Sequence, residues 1–131
     1  NVKDVVKNMI RSNPIIQALY VCWEEPARLV METLEEINRT DIKIFTTDLD
    51  FEIARDLASG KQVIALSTQQ PYEQGRAMAL ATLYSFIDKK VPSFLSIDPI
   101  LINNSNLEKT WETVTKEKLP PYLYDFLSTK S

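Results

Sequence analysis

Short apolar runs alternate along this chain with longer stretches whose apolar residues recur at helical spacing, and this alternation constrains the fold more than any other feature. The first run, 18–22, is too short for a helix and has the composition of a strand buried on both faces. Two further strands are predicted at 42–47 and 63–66. Strands that alternate with helices through short connections predict a Rossmann-like α/β fold, in which a parallel sheet carries helices on both faces.

Prolines and capping residues predict where the helices begin and end. Pro26 suits the first turn of the helix after the first strand, and Asp50 is a candidate N-cap of the helix after the second. Gly60 supplies the left-handed residue that often follows a helix. Pro71 opens a helix that we expect to run to about Asp88.

The last third of the chain is less regular. Residues 94–102 are β-like but are interrupted at Asp98 and Pro99, because proline cannot donate a hydrogen bond to a central strand. This interruption is typical of a strand that changes its partner. Ser105 and Glu108 have the spacing of a capping box, which predicts a final helix starting at Ser105.

The composition excludes several classes of site. With no histidine and one cysteine, the chain cannot form a Ser-His-Asp or Cys-His catalytic site, a His or Cys zinc site, or an internal disulfide. Gly60 and Gly75 are its two glycines, so neither a P-loop nor a dinucleotide-binding GxGxxG motif is present. We therefore expect no catalytic residues, no cofactor and no bound metal.

The length and charge of the chain point in the same direction. Its 131 residues suit a single domain, and 15 basic against 18 acidic residues leave a net charge of −3, which is not the footprint of nucleic-acid binding. No apolar run approaches the roughly 18 residues of a membrane span. The sequence therefore predicts a single α/β unit that contacts neither nucleic acid nor the interior of a membrane.

Polar or aromatic residues follow each predicted strand. Trp23, Asp48 and Gln69 would emerge at one edge of the sheet if the three strands are parallel neighbours, and ligands of α/β sheets bind at that edge. A carboxylate can accept from two adjacent hydroxyl groups, an amide can donate and accept, and an indole can cover the C–H face of a sugar ring. The three residues therefore predict a polyol-binding site. Each also has a purely structural alternative, in helix capping, rim packing or an exposed strand end.

Four segments carry a more specific pattern: 18–27, 42–48, 53–60 and 68–75. In this order they resemble the type I periplasmic binding proteins, which include ribose-binding proteins and the sugar-binding portions of LacI-type regulators. The resemblance covers roughly residues 3–106 and is most specific at the aspartate of the second strand end, at Gly60 and at the Gln-x-Pro-x-x-x-Gly pattern of 69–75.

The resemblance implies that Asp48 and Gln69 contact a sugar, since they match ligand-binding positions of the family. The first strand of the family usually ends in an Asn-Asp pair, where this chain has Trp23 and Glu24. This departure leaves the location of the site unchanged but alters the chemistry offered to the ligand, because stacking replaces a hydrogen-bonding amide.

The resemblance further implies that residues 1–131 form a single α/β unit that is a fragment of a two-lobed protein. Residues 1–69 and 99–131 would belong to the second lobe, whereas 70–98 would supply a crossing segment and a helix of the first lobe. Gln70, Pro71, Asp98 and Pro99 would then form hinge segments, although each proline can also simply begin or end an element. The helix of 71–88 would lack its usual sheet, which predicts an exposed apolar face and possible dimer formation.

Three functions remain open at this point. The resemblance favours a non-catalytic sugar- or polyol-binding component of an ABC transporter, located outside the cytoplasm and delivering ligand to a permease. The alternative within the same fold is the effector-binding domain of a cytoplasmic LacI-type regulator. A third possibility, Mg²⁺-dependent phosphotransfer at Asp48, is disfavoured, because Asp50 has a simpler role as an N-cap and no lysine directly follows a later strand.

Overall fold

The computed structural model describes residues 1–128, in which helices and strands alternate as the sequence predicts. The helices are α1 (Val2–Ser12), α2 (Glu24–Glu36), α3 (Phe51–Ser59), α4 (Pro71–Phe86), α5 (Leu107–Thr115) and α6 (Pro121–Ser128). The strands are β1 (Ala18–Tyr20), β2 (Lys43–Thr47), β3 (Val63–Thr68) and β4 (Ile100–Asn103). Within the described part of the chain, no helix is both long and apolar enough to cross a lipid bilayer.

The four strands form one sheet in the order β1-β2-β3-β4. β1, β2 and β3 are parallel, as expected, whereas β4 pairs with β3 in the antiparallel sense. The α/β fold class is therefore confirmed, but the sheet is mixed. The chain leaves the sheet at the carboxyl end of β3, forms α4, and re-enters the sheet at that same end, where Thr68 pairs with Ile100, so β4 runs antiparallel to β3. Asp98 and Pro99 precede β4 and do not interrupt it.

One face of the sheet is covered and the other is open. Ile44, Leu66 and Ile102 point toward the helices and are buried. On the opposite face, Tyr20 and Leu101 are 70% and 63% exposed. The expectation that the first strand is buried on both faces is therefore wrong within residues 1–128. The expectation of helices on both faces of the sheet also does not hold for these residues. Consecutive right-handed crossovers between neighbouring strands place α2 and α3 on the same side.

α1 packs on α2 and extends the covered layer. Val6 and Ile10 of α1 are buried in the core, and Lys3 and Lys7 place their ammonium groups 2.9 and 2.7 Å from the Glu36 carboxylate. Hydrogen bonds from Lys7 and then Lys3 lower the pKa of Glu36 to about 2. The Glu36 carboxylate therefore stays ionised and paired over the ordinary pH range.

The predicted ends of α3 are confirmed. The Asp50 carboxylate accepts a hydrogen bond from the Ile53 N–H at 2.8 Å, and Gly60 has a φ of 65°. The predicted helix start at Ser105 is wrong, because α5 begins at Leu107 with Asn106 as its N-cap, and α5 is not the last helix, since α6 follows it. The Ser105 hydroxyl instead donates to Asn103 Oδ1 at 2.7 Å, so it does not cap the N-terminus of α5.

The two glycines of the chain give a matched pair of stability tests. Gly60→Ala places a Cβ at a φ of 65°, so we expect it to lower the free energy of unfolding by about 1–2 kcal/mol. Gly75 lies within α4 with nothing within 4 Å of the position of an added Cβ. Gly75→Ala should therefore raise stability by roughly 0.5–1 kcal/mol. Urea denaturation of both variants checks the signs, and a stabilising Gly60→Ala would contradict the left-handed conformation.

α4 differs from every other helix in residues 1–120, because none of its residues is buried. Leu80, Tyr84 and Ile87, which the sequence places on one apolar face, are 44%, 42% and 53% exposed. The helix contacts α5 near its own N-terminus, where Glu73 approaches Lys116 at 3.5 Å. It ends at Phe86, two residues before the predicted end.

Candidate functional site

The register of the sheet brings the three strand ends to one level. Tyr20 pairs with Phe45, and Phe45 pairs with Ala65. Trp23 and Asp48 lie three residues after Tyr20 and Phe45, and Gln69 lies four residues after Ala65. The sequence-based expectation that these residues share one edge of the sheet therefore agrees with the observed strand order.

Asp48 lies in an unusual backbone conformation. Its φ of 65° falls in the left-handed region, which aspartate and asparagine adopt more readily than other residues with a side chain. Its N–H donates to the Ser67 carbonyl at 2.8 Å, so the strand pairing persists up to this residue. The left-handed turn ends β2 there. Backbone of this kind is concentrated at functional sites.

Gln69 directly contacts Asp48. Its Nε2 donates to Asp48 Oδ1 across 3.4 Å, a long hydrogen bond, and its Oε1 accepts from Gln74 Nε2 at 3.0 Å. The amide thus lies between a carboxylate at the end of β2 and a second amide in the first turns of α4. Gln74 was not among the candidates from the sequence, although its position five residues after Gln69, in the turn opened by Pro71, is a usable signal.

A cavity of about 550 Å³ opens beside this pair. Asp48 and Gln69 line it together with residues from the loop before α3, the end of β3, the start of α4 and the end of α5: Leu49, Thr68, Pro71, Tyr72, Val114 and Thr115. Its volume lies within the roughly 300–1,000 Å³ of small-molecule sites. Tyr72 is 59% exposed and presents an aromatic ring there. Thr115 carries no local sequence signal for this site, because the fold alone brings the end of α5 to this edge.

Trp23 lies at the same edge but lines a different depression. It precedes α2 in extended backbone, is 49% exposed, and borders an apolar pocket of about 200 Å³ with Cys22, Pro26 and Val30 among its neighbours. The Thr47 hydroxyl donates to the Cys22 carbonyl and ties the ends of β1 and β2 together. The structure thus brings Asp48 and Gln69 into one cavity and leaves Trp23 at its side.

The four residues expected to form hinges lie where the chain leaves the sheet and returns to it. Gln70 precedes α4 and Pro71 is the first residue of that helix. The Gln70 side chain donates to the Asp98 carbonyl at 2.9 Å, so the outgoing and returning segments are joined by a hydrogen bond. Pro99 follows directly and leads into β4.

Asp50 does not support phosphotransfer. Its Oδ1 caps α3, and its Oδ2 lies 3.6 Å from Arg28 Nε, so both oxygens have structural partners. Within residues 1–128 no group of three or more histidine, cysteine, aspartate or glutamate side chains is placed to hold a metal ion.

No protein-family model matches the chain, and no curated protein sequence does. Solved structures do match. A glucose-galactose binding protein from Geobacillus stearothermophilus superposes with a TM-score of 0.73 at 22% identity over 81% of this chain. An ABC transporter solute-binding protein from Mycobacterium smegmatis, with bound glycerol, has a TM-score of 0.73 at 26% identity over 82% of this chain.

A carbohydrate transporter solute-binding protein from Agrobacterium radiobacter, in complex with D-arabinose, has a TM-score of 0.74 at 22% identity over 86% of this chain. The chain has part of the fold of the type I periplasmic sugar-binding proteins. The resemblance drawn from the sequence is thereby confirmed for the fold. The three structures are matched only in part, since the chain spans 38% to 39% of their length.

Proposed function

We propose that the protein is a non-catalytic sugar- or polyol-binding protein, the solute-binding component of an ABC transporter. The observation that carries the proposal is the Asp48–Gln69 pair, 3.4 Å apart at the rim of a cavity of about 550 Å³, in a fold whose solved examples include sugar-binding proteins. A carboxylate beside an amide offers hydrogen-bond acceptors and donors at the spacing of neighbouring hydroxyl groups. Neither group needs to act as a nucleophile or a base.

Aromatic rings supply the second element of recognition. Tyr72 lines the cavity, and Trp23 lies at the same edge of the sheet with half of its side chain exposed. Aromatic faces cover the C–H surfaces of sugars, while the polar rim fixes their hydroxyl groups. Trp23, Asp48 and Gln69 are therefore the proposed ligand contacts of this chain.

The proposed protein closes two lobes around its ligand, with 1–69 and 99–131 in one lobe and 70–98 contributing to the other. The exposed apolar face of α4 supports this division, because a helix with no buried residue is unusual unless it packs on something further. Gln70, Pro71, Asp98 and Pro99 would absorb the lobe movement. Dimer formation through the same face of α4 stays a prediction.

Delivery to a permease and a location outside the cytoplasm follow from the same proposal. Ligand that touches both lobes only in the closed form shifts an open–closed equilibrium, and the permease would recognise the closed form. In a LacI-type regulator the same equilibrium would act on a DNA-binding module, which the complete gene would reveal upstream of Asn1.

The test is a titration of the full-length protein with pentoses, hexoses and sugar alcohols, followed by calorimetry and by tryptophan fluorescence. This chain has two tryptophans, and Trp111 is 3% exposed, so Trp23 is the one that ligand can reach. We expect heat of binding for at least one sugar and a sugar-induced fluorescence change that is smaller in Trp23→Phe. Calorimetric silence across the panel would overturn the function, and an identical sugar-induced change in Trp23→Phe would remove Trp23 from the site.

A further inference from the structure

A series of side-chain hydrogen bonds links α4 to the end of β2. Gln74 Nε2 donates to Gln69 Oε1 at 3.0 Å, and Gln69 Nε2 donates to Asp48 Oδ1 at 3.4 Å. Gln74 is held in place by the helix, since its N–H donates to the Gln70 carbonyl at 2.9 Å. The series therefore connects a rigid backbone element to the carboxylate at the rim of the cavity.

The direction of these hydrogen bonds is set by chemistry. An ionised carboxylate only accepts, so the nitrogen of the Gln69 amide must face Asp48. Its oxygen then faces Gln74, and Gln74 must present its own nitrogen in return. If the Gln69 amide were rotated by 180°, its oxygen would face the Asp48 carboxylate and neither group could donate. Only the observed direction of the hydrogen bonds therefore satisfies every pair in the series.

The consequence is a defined donor beside a defined acceptor. Gln69 Nε2 has a second N–H that Asp48 does not use, and within residues 1–128 Gln69 is the only donor to the Asp48 carboxylate. Two adjacent hydroxyl groups match this pair if one donates to Asp48 and its neighbour accepts from Gln69. Gln69 is exposed, and an unrestrained glutamine side chain would lose rotamer freedom on binding.

We propose that Gln74 is a positioning residue that orients the Gln69 amide, so that the site selects a vicinal diol with one hydroxyl donating and the other accepting. This proposal rests on the proposed sugar-binding function. It adds that part of the specificity is set from α4, the element assigned to the opposite lobe, through a residue that itself need not touch the ligand.

The experiment compares three substitutions at position 74 in the full-length protein, using its best-binding sugar and the monodeoxy analogues of that sugar. Gln74→Met removes the donor at similar volume and should weaken the parent sugar roughly 2- to 10-fold, the effect of one neutral hydrogen bond. Gln74→Glu, which only accepts, should compete with Asp48 for the Gln69 N–H and weaken it further. Gln74→Lys keeps a donor and should restore binding.

Two readouts separate positioning from a general structural effect. In a Gln69→Ala background, Gln74→Met should change affinity no further, and one monodeoxy analogue should be insensitive to Gln74→Met because it lacks the hydroxyl that faces Gln69. Arg76→Met, an exposed position on the same helix, is the control and should leave the analogue profile unchanged. The proposal would be overturned, while sugar binding stands, if Gln74→Met lowered the affinity equally with and without Gln69. It would also be overturned if Gln74→Met left the relative affinities of the monodeoxy analogues unaltered.

A separate measurement covers the case in which the unsubstituted protein binds no sugar. The ¹H and ¹⁵N shifts of the Gln69 side-chain amide report its hydrogen bonding without ligand. We expect them to move toward free-amide values in Gln74→Met and to stay near the original values in Gln74→Lys. Identical Gln69 shifts in all variants would overturn the positioning role independently of the function.

Discussion

Replacing Asp48 with asparagine is expected to weaken the proposed sugar binding about 5- to 15-fold while leaving the fold intact. A hydrogen bond to a charged group contributes roughly 1.5–3 kcal/mol and one to a neutral group roughly 0.5–1.5 kcal/mol, so neutralising the acceptor loses about 1–1.5 kcal/mol. Asparagine keeps the shape of the side chain and tolerates the φ of 65° observed here, so the change isolates the charge of the acceptor. Calorimetric titration with the best ligand of the unsubstituted protein measures the loss.

Asparagine is a better probe at this position than alanine. Alanine in left-handed backbone would destabilise the turn by about 1–2 kcal/mol, so weaker binding could reflect a displaced rim. Glu52→Gln, which neutralises an exposed carboxylate near the start of α3, is the matched control and should bind normally. Unchanged affinity in Asp48→Asn, with the unfolding temperature preserved, would remove Asp48 from the ligand contacts.

Replacing Asp56 with alanine is expected to lower the free energy of unfolding by about 2–6 kcal/mol. Asp56 is 5% exposed, and its Oδ1 accepts hydrogen bonds from the N–H groups of Gln62 at 3.0 Å and Val63 at 2.6 Å. Loss of the carboxylate leaves two buried donors without an acceptor, and each costs roughly 1–3 kcal/mol. Chemical denaturation measures the change.

Two further variants define the origin of that loss. Asp56→Asn keeps an acceptor at Oδ1 and should be destabilised less than Asp56→Ala. Glu52→Ala removes an exposed carboxylate from the same helix and should fall within about 0.5 kcal/mol of the unsubstituted protein. If Asp56→Ala were no more harmful than Glu52→Ala, the entry of the chain into β3 would not depend on this carboxylate.

The order of the strands and the position of the Asp48–Gln69 pair could be predicted from the sequence. Each strand is a compact apolar run, and a parallel sheet brings the residue after each run to one edge. The direction of β4 could not be predicted in the same way. About thirty residues separate it from β3, and the end from which the chain returns is decided by the placement of α4 and not by any local pattern.

The open face of the sheet shows a second limit of sequence patterns. The run 18–22 has the composition of a strand buried on both faces, yet Tyr20 is 70% exposed within the described residues. Periodicity records which side chains are apolar, whereas coverage depends on elements elsewhere in the fold. Trp23 illustrates the same point, since its place at the strand end was predictable but its separation from the cavity of Asp48 depends on how α1, β1 and α2 pack.

The left-handed backbone at Asp48 also restricts how this pocket can be re-engineered. A saturation library at position 48 should return aspartate, asparagine and glycine among its stable members, because larger or β-branched substituents are disfavoured at that dihedral. Efforts to change the ligand preference are better directed at Tyr72 and Trp23, whose helical and extended backbones do not restrict the side chain in this way. The backbone dihedral at Asp48 thus restricts which residues this position accepts, whereas the aromatic positions beside it remain open to substitution.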